Sequence, residues 1–159
     1  MNFYQILPNI WICYINPNYI ESMNKQPTQL LREFTQKHNI TKLFKPHKDL
    51  IFFGKSQQYI DLIKEQMEKD EIKKMYAYLL NTSKNLFDYY LQGENTLIIS
   101  GTDIYKSLSL IIVFLVKYAD MNIQQSFTAI ASKIPLNLSF SMIYQKTFML
   151  IEKMNKNTF

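Results

Sequence analysis

TLIISGTDIYKSLSLIIVFLVKYA, residues Thr96 to Ala119, is the stretch whose reading decides the fold. Thr96–Ile99 has no polar face, as expected of a short strand buried on both sides. The loop Ser100–Lys106 follows, and the apolar run from Leu108 to Val116 predicts a helix reaching about Ala119. That run is far short of the ~20 apolar residues a membrane span needs, so a buried core helix is expected. A strand that delivers a loop to a helix N-terminus is where phosphate-handling proteins build an anion cradle. Ser100, Gly101, Thr102, Asp103, Ile104, Tyr105, Lys106 and Ser107 are therefore the candidate binding residues.

Upstream, strand and helix signals alternate. Asn9–Ile15 is β-branched and aromatic and predicts a first strand, and Ile40–Phe44 predicts a second, closed by Pro46. Between them, Leu30, Leu31 and Phe34 stand at helical spacing in Pro27–His38. Lys45–Ser56 reads as a loop, Tyr59–Ile63 as a third strand and Asp70–Gln92 as a long amphipathic helix ended by Gly93. After Ala119, Ile123 to about Lys133 predicts a helix with Asn122 as N-cap, and the last helix is expected from about Ser139 to Met154. This order predicts an α/β fold: a small central mostly parallel sheet of about four or five strands flanked by helices. Residues 1–159 are expected to form a single domain.

Composition narrows the function. Only three glycines and five prolines leave little linker material. Cys13, the single cysteine, excludes a disulfide framework and suits a reducing compartment, as a buried structural thiol. MNFYQILPNIW has neither a basic n-region nor an arginine-rich amphipathic stretch, so neither secretion nor mitochondrial import is expected. His38 and His47 have no metal-ligand spacing with each other or with Cys13, and no metal or cofactor is expected. The net charge of +5 does not imply nucleic acid: Arg32 is the sole arginine, and the lysines are scattered from Lys25 to Lys156. A broadly positive surface suits an acidic protein partner instead. The excess of Lys, Asn, Ile and Tyr over Arg, Gly and Ala fits an A/T-rich coding genome, such as a ciliate's.

The stretch Ile99–Ser107 resembles the signature loop of the cysteine-dependent phosphatases, HCxxGxxRS. In that alignment Ile99 stands for the histidine, Ser100 for the nucleophilic cysteine, Asp103 for the loop glycine and Lys106 for the phosphate-clamping arginine, while Ser107 is unchanged. Over nearly its full length the chain is similar to the small atypical dual-specificity phosphatases. ILPNIWI resembles their opening strand, HNITKLFKP their "G-I-T-x-V-L-N", and YIDLIKEQ the strand leading to the general-acid loop. SLSLIIVFLVKYADMNIQQSFTAI is similar to "SPTxVIAYLM…M…xxA". Asn137 and Phe140 in PLNLSFSMIYQK match the "P-N-x-G-F-xxQL" opening of the last helix.

The resemblance implies a phosphatase frame stripped of its chemistry. A thiolate is both ionised and nucleophilic near neutral pH, and a serine hydroxyl without a base is neither. A lysine offers a point charge where arginine's planar fork grips two oxygens. The resemblance also puts Gln66 at the general-acid position, where an amide has no proton to give; a slip of two residues would offer Glu65 or Glu68. The expected protein is a pseudophosphatase: a structural or scaffolding component of a larger assembly in the cytoplasm. The family's role in ciliary microtubules suggests tubulin or axonemal proteins as partners and a cilium setting. The alternative is a phosphoprotein-binding module, if Asp103 points away from the cradle. Residual catalysis by Ser100 with Lys106 or Asp103 is the least favoured. Phe52, Phe53, Tyr89 and Tyr90 are candidates for an aromatic binding surface.

Overall fold

A computed structural model describes residues 2–14, 27–44, 61–100 and 103–156, with 27–28 and 61–68 described as backbone only. The elements run β1 (Asn2–Leu7), β2 (Ile10–Tyr14), α1 (Pro27–Lys37), β3 (Lys42–Phe44), α2 (Asp61–Leu91), β4 (Thr96–Ile99), α3 (Ile104–Tyr118), α4 (Ile123–Ala131) and α5 (Met142–Lys156). The sheet order is β1-β2-β4-β3, with β1 antiparallel to β2 and the other two pairings parallel. The α/β expectation of a small, mostly parallel sheet flanked by helices is met.

Side-chain alternation on β2 sorts two layers of core. Ile10 and Ile12 face one way and join Ile98 and the helices α2 to α5. Trp11 and Cys13 face the other way with Leu97, under Leu31 and Phe34 of α1. α3 is the hub: Leu108 and every residue from Leu110 to Val116 are buried, with α2, α4 and α5 packed around them. An apolar stripe wider than one face is what lets this helix be covered by the sheet and three helices at once. Cys13 is fully buried, so the structural-thiol reading holds.

α2 ends as its sequence dictates. Gly93, at φ +73°, donates its N–H to the Tyr90 carbonyl, and Glu94 donates to the Tyr89 carbonyl, the two bonds of a Schellman cap. Just beyond, the Asn95 carbonyl accepts from the Thr41 and Lys42 N–H groups at 2.9 and 3.1 Å, and the Asn95 amide donates to Thr41 Oγ1 at 3.0 Å. These bonds set β3 against β4 in register, Lys42 opposite Thr96.

Two expectations are corrected. β1 precedes the strand read from Asn9–Ile15; ILPN spans the end of β1 and the turn into β2. More consequentially, residues 61–63 are helical: α2 begins at Asp61, where a third strand was expected over Tyr59–Ile63. The run DLIKEQMEKDEIKK is almost entirely strong helix formers, and that local preference prevails over the two isoleucines that suggested a strand. Tyr59 and Ile60 lie outside the described residues, as do the loop Lys45–Ser56, His47, Phe52 and Phe53.

Candidate functional site

β4 carries the site. It lies between β2 and β3, parallel to both, so its C-terminal end opens at the carboxyl edge of the sheet, where open α/β sheets place ligands. The ladder runs one residue past the strand: the Ser100 N–H donates to the Cys13 carbonyl at 2.8 Å. Ser100 is thereby held at the sheet edge, and α3 starts four residues later at Ile104. Gly101 and Thr102 lie outside the described residues.

The polar groups here bind one another. Ser100 Oγ donates to Ser107 Oγ at 2.7 Å, and Ser107 is fully buried in the first turn of α3. Asp103 is the N-cap of α3, in extended backbone (φ −111°, ψ 98°), and its carboxylate accepts the Tyr105 N–H at 3.0 Å. Asp103 is the residue type best suited to cap a helix, and its negative charge sits at the positive end of the macrodipole. Ile104 is buried, whereas Tyr105 and Lys106 are half-buried. Of the predicted loop residues that are described, Ser100 and Asp103 lie between β4 and α3, whereas Ile104, Tyr105, Lys106 and Ser107 form the first turn of α3, so the helix starts earlier than the loop expected to Lys106. Gln66, like Glu65 and Glu68, lies inside α2, which already includes Asp61–Ile63 of the expected strand.

Two contacts had no signal in the sequence. The Ser139 N–H donates to the Tyr105 hydroxyl at 3.0 Å, and the Tyr105 ring meets Phe140 edge-on at 5.1 Å. Phe140, one of the two residues that carried the resemblance in PLNLSF, is an aromatic hub that also touches Phe127, Tyr144 and Phe148. The Tyr144 hydroxyl is pushed well above the ordinary tyrosine range by burial and, secondarily, by the charge of Asp103.

Removing the cap tests the geometry. Asp103→Ala is expected to lower stability by about 1 kcal/mol, within the ~0.5–2 kcal/mol range for N-caps, while Asp103→Asn retains most of it. Urea midpoints of the three proteins would show this; equal midpoints would mean the bond to Tyr105 contributes nothing.

The other candidates that are described make ring contacts, and Tyr90 is also exposed. His38 lies against the rings of Trp11 and Phe34, at 5.8 and 4.3 Å, as part of the α1 layer. Lys42 Nζ sits 5.4 Å from the Tyr89 ring centre, and Tyr90 meets Phe114 edge-on. Among the described residues no group of three or more His, Cys, Asp or Glu could hold a metal, and no helix is long and apolar enough to cross a membrane.

No family model matches the chain, and no curated protein does either. Solved structures match it almost end to end. A leucine rich repeat and phosphatase domain containing protein from Entamoeba histolytica is 20% identical, with 99% of this chain and 94% of that one aligned at a TM-score of 0.65. Human DUSP28 is 8% identical over 100% and 99% of the two chains, at 0.68. The human tyrosine phosphatase-like serine/threonine/tyrosine-interacting protein is 14% identical over 96% of each, at 0.60.

Proposed function

Starting from a chain that has the dual-specificity phosphatase fold, we propose that it is a catalytically inactive form of that fold which works by binding other proteins, as a structural component of a larger assembly. The observation that carries this reading is Asp103: the helix end that would receive a phosphate already holds a carboxylate, bonded to the Tyr105 N–H. Magnitudes favour exclusion. At 4 Å and an effective dielectric of 20, each pair of like charges costs about 4 kcal/mol. A helix N-terminus returns only about 0.3–1 kcal/mol to an anion, up to ~2 when partly buried. Lys106 offsets part of the repulsion with a single charge and no bidentate grip.

Chemistry meets the same obstacle. The Ser100 hydroxyl is engaged with Ser107, itself a hydroxyl and no base, which supports the inactive reading. A binding role has a precedent in the fold: one of the matching structures is named a phosphatase-like interacting protein. The net charge of +5 favours an acidic partner, and an assembly surface such as a cytoplasmic or ciliary tubulin lattice is of that class.

Turnover of p-nitrophenyl phosphate is expected to equal that of the Ser100→Ala control. The double variant Ser100→Cys, Lys106→Arg is expected to stay inactive because Asp103 still caps the loop. Robust turnover in either protein would overturn the assignment. Titration with phosphotyrosine and phosphothreonine peptides is expected to show no saturable binding; saturation by the unmodified protein would establish the phospho-binding alternative instead.

A further inference from the structure

An open groove runs between α4 and α5. Its volume is about 590 Å³. Ile112 and Phe148 form the floor, Ile123 and Phe127 line the α4 wall, and Met149 lines the α5 wall. Ile112 is completely buried, whereas Met149 is 69% exposed. Met142, two turns earlier on the same face of α5, is also exposed. Flexible, polarisable methionines at the lip of an apolar trough are a surface made to accept other side chains. The far wall is tied to the loop by the Ser139–Tyr105 bond, so the first turn of α3 buttresses the groove.

We infer that this groove docks an amphipathic helix of a partner protein whose apolar stripe is flanked by acidic residues. Charge selects the partner. Lys146 and Lys153 stand on α5 one turn to either side of Met149, beyond the groove's own lining, and the segment from residue 117 to 156 has five lysines (Lys117, Lys133, Lys146, Lys153 and Lys156) against two acids, Asp120 and Glu152, a net +3. Glu152, the acid that lines the groove, already bridges to Lys156 at 3.4 Å. Backbone chemistry favours the shape: the α4 and α5 walls are helices whose N–H and C=O groups are bonded internally and offer no strand edge, and Leu138–Phe140, which completes the lining, is not a strand. A partner helix can instead lay i, i+3, i+4 and i+7 side chains into the trough along α5, whose 15 residues span about 22 Å. A second copy of this chain is disfavoured, since a two-fold interface would set positive surface against positive surface.

This inference deepens the binding reading by placing the surface, yet it is tested apart from it. Fluorescence anisotropy would use helical peptides of about 18 residues, five turns. One carries a leucine stripe flanked by glutamates, its twin has lysines instead, and a third has the leucines scrambled. The glutamate peptide is expected to bind saturably and to weaken with salt. Its affinity is expected to fall at least about tenfold on Met149→Asp and on Gln124→Glu, an exposed position in the α4 wall, with thermal midpoints unchanged. Three results would overturn it: no peptide binds, the lysine or scrambled peptide binds as well, or neither substitution matters. So would a concentration-dependent dimer in sedimentation equilibrium that Met149→Asp abolishes, because the occupant would then be a second copy. Ester turnover, by contrast, would sink the inactive assignment and leave the groove standing.

Discussion

Replacing Ile111 by aspartate is expected to abolish the cooperative unfolding transition. Ile111 is completely inaccessible in the middle of α3, the helix on which the sheet and three other helices converge. The change removes about 2–3 kcal/mol of apolar burial. It also leaves an uncompensated charge or an unsatisfied carboxyl among Leu108, Ile112 and Leu115, which costs several kcal/mol more. Total stability of an ordinary domain is about 5–15 kcal/mol, so this one substitution consumes most or all of it. Lys117→Gln on an exposed position of the same helix is the control, expected to shift stability by less than about 0.5 kcal/mol. Thermal unfolding followed by near-ultraviolet circular dichroism would compare them. A sharp native-like transition in Ile111→Asp would mean that α3 is not the centre of the core.

Alkaline titration is expected to produce the second largest effect. Burial beside Trp11 and Leu97 pushes the Cys13 thiol up from an ordinary 9.0 to about 11. The native state therefore keeps a proton that the unfolded chain gives up. Its stabilising contribution is complete below pH 9 and is lost as the pH climbs towards 11, amounting to about 2–3 kcal/mol. Tyr144, raised by burial and then by Asp103, adds a loss of the same sign above its ordinary 10.0. Urea midpoints taken from about pH 8 to 11 should fall steeply, and less steeply in Cys13→Ala, which has no thiol to ionise. Identical slopes in the two proteins would show that the thiol is not sequestered.

Both effects concern groups whose burial could be read in part from the chain. The continuous apolarity of Leu108–Val116, in a run too short for a membrane, requires a helix enclosed on all sides. The enclosure around Ile111 is the consequence. Cys13 in IWICYI was placed in a strand by its β-branched and aromatic neighbours, and alternation along that strand set it on the α1 side.

Where local signals competed, the sequence was less legible. The apolar residues of Tyr59–Ile63 suggest a strand, but the helix formers from Asp61 onward carry α2 through Asp61–Ile63. β1 was missed because its hairpin partner is what makes NFYQIL a strand: by itself it has no clean alternation, and its pairing with β2 is irregular between Gln5 and Leu7.

By itself the chain determined the α/β order, the strand–loop–helix at Thr96–Ala119, the buried thiol and the residue types at the cradle, since these rest on periodicity, composition and spacing within short windows. Tertiary structure alone decided that Asp103 turns its carboxylate onto the α3 N-terminus, that Ser100 meets Ser107, and that Tyr105 reaches Ser139. The direction of a short side chain, and contacts across a separation such as that of Tyr105 and Ser139, depend on the backbone path between residues. Residue identity cannot supply that path. The apolar trough between α4 and α5 likewise exists only because two amphipathic helices, each able to hide its own stripe, pack over Ile112 and leave Met149 uncovered.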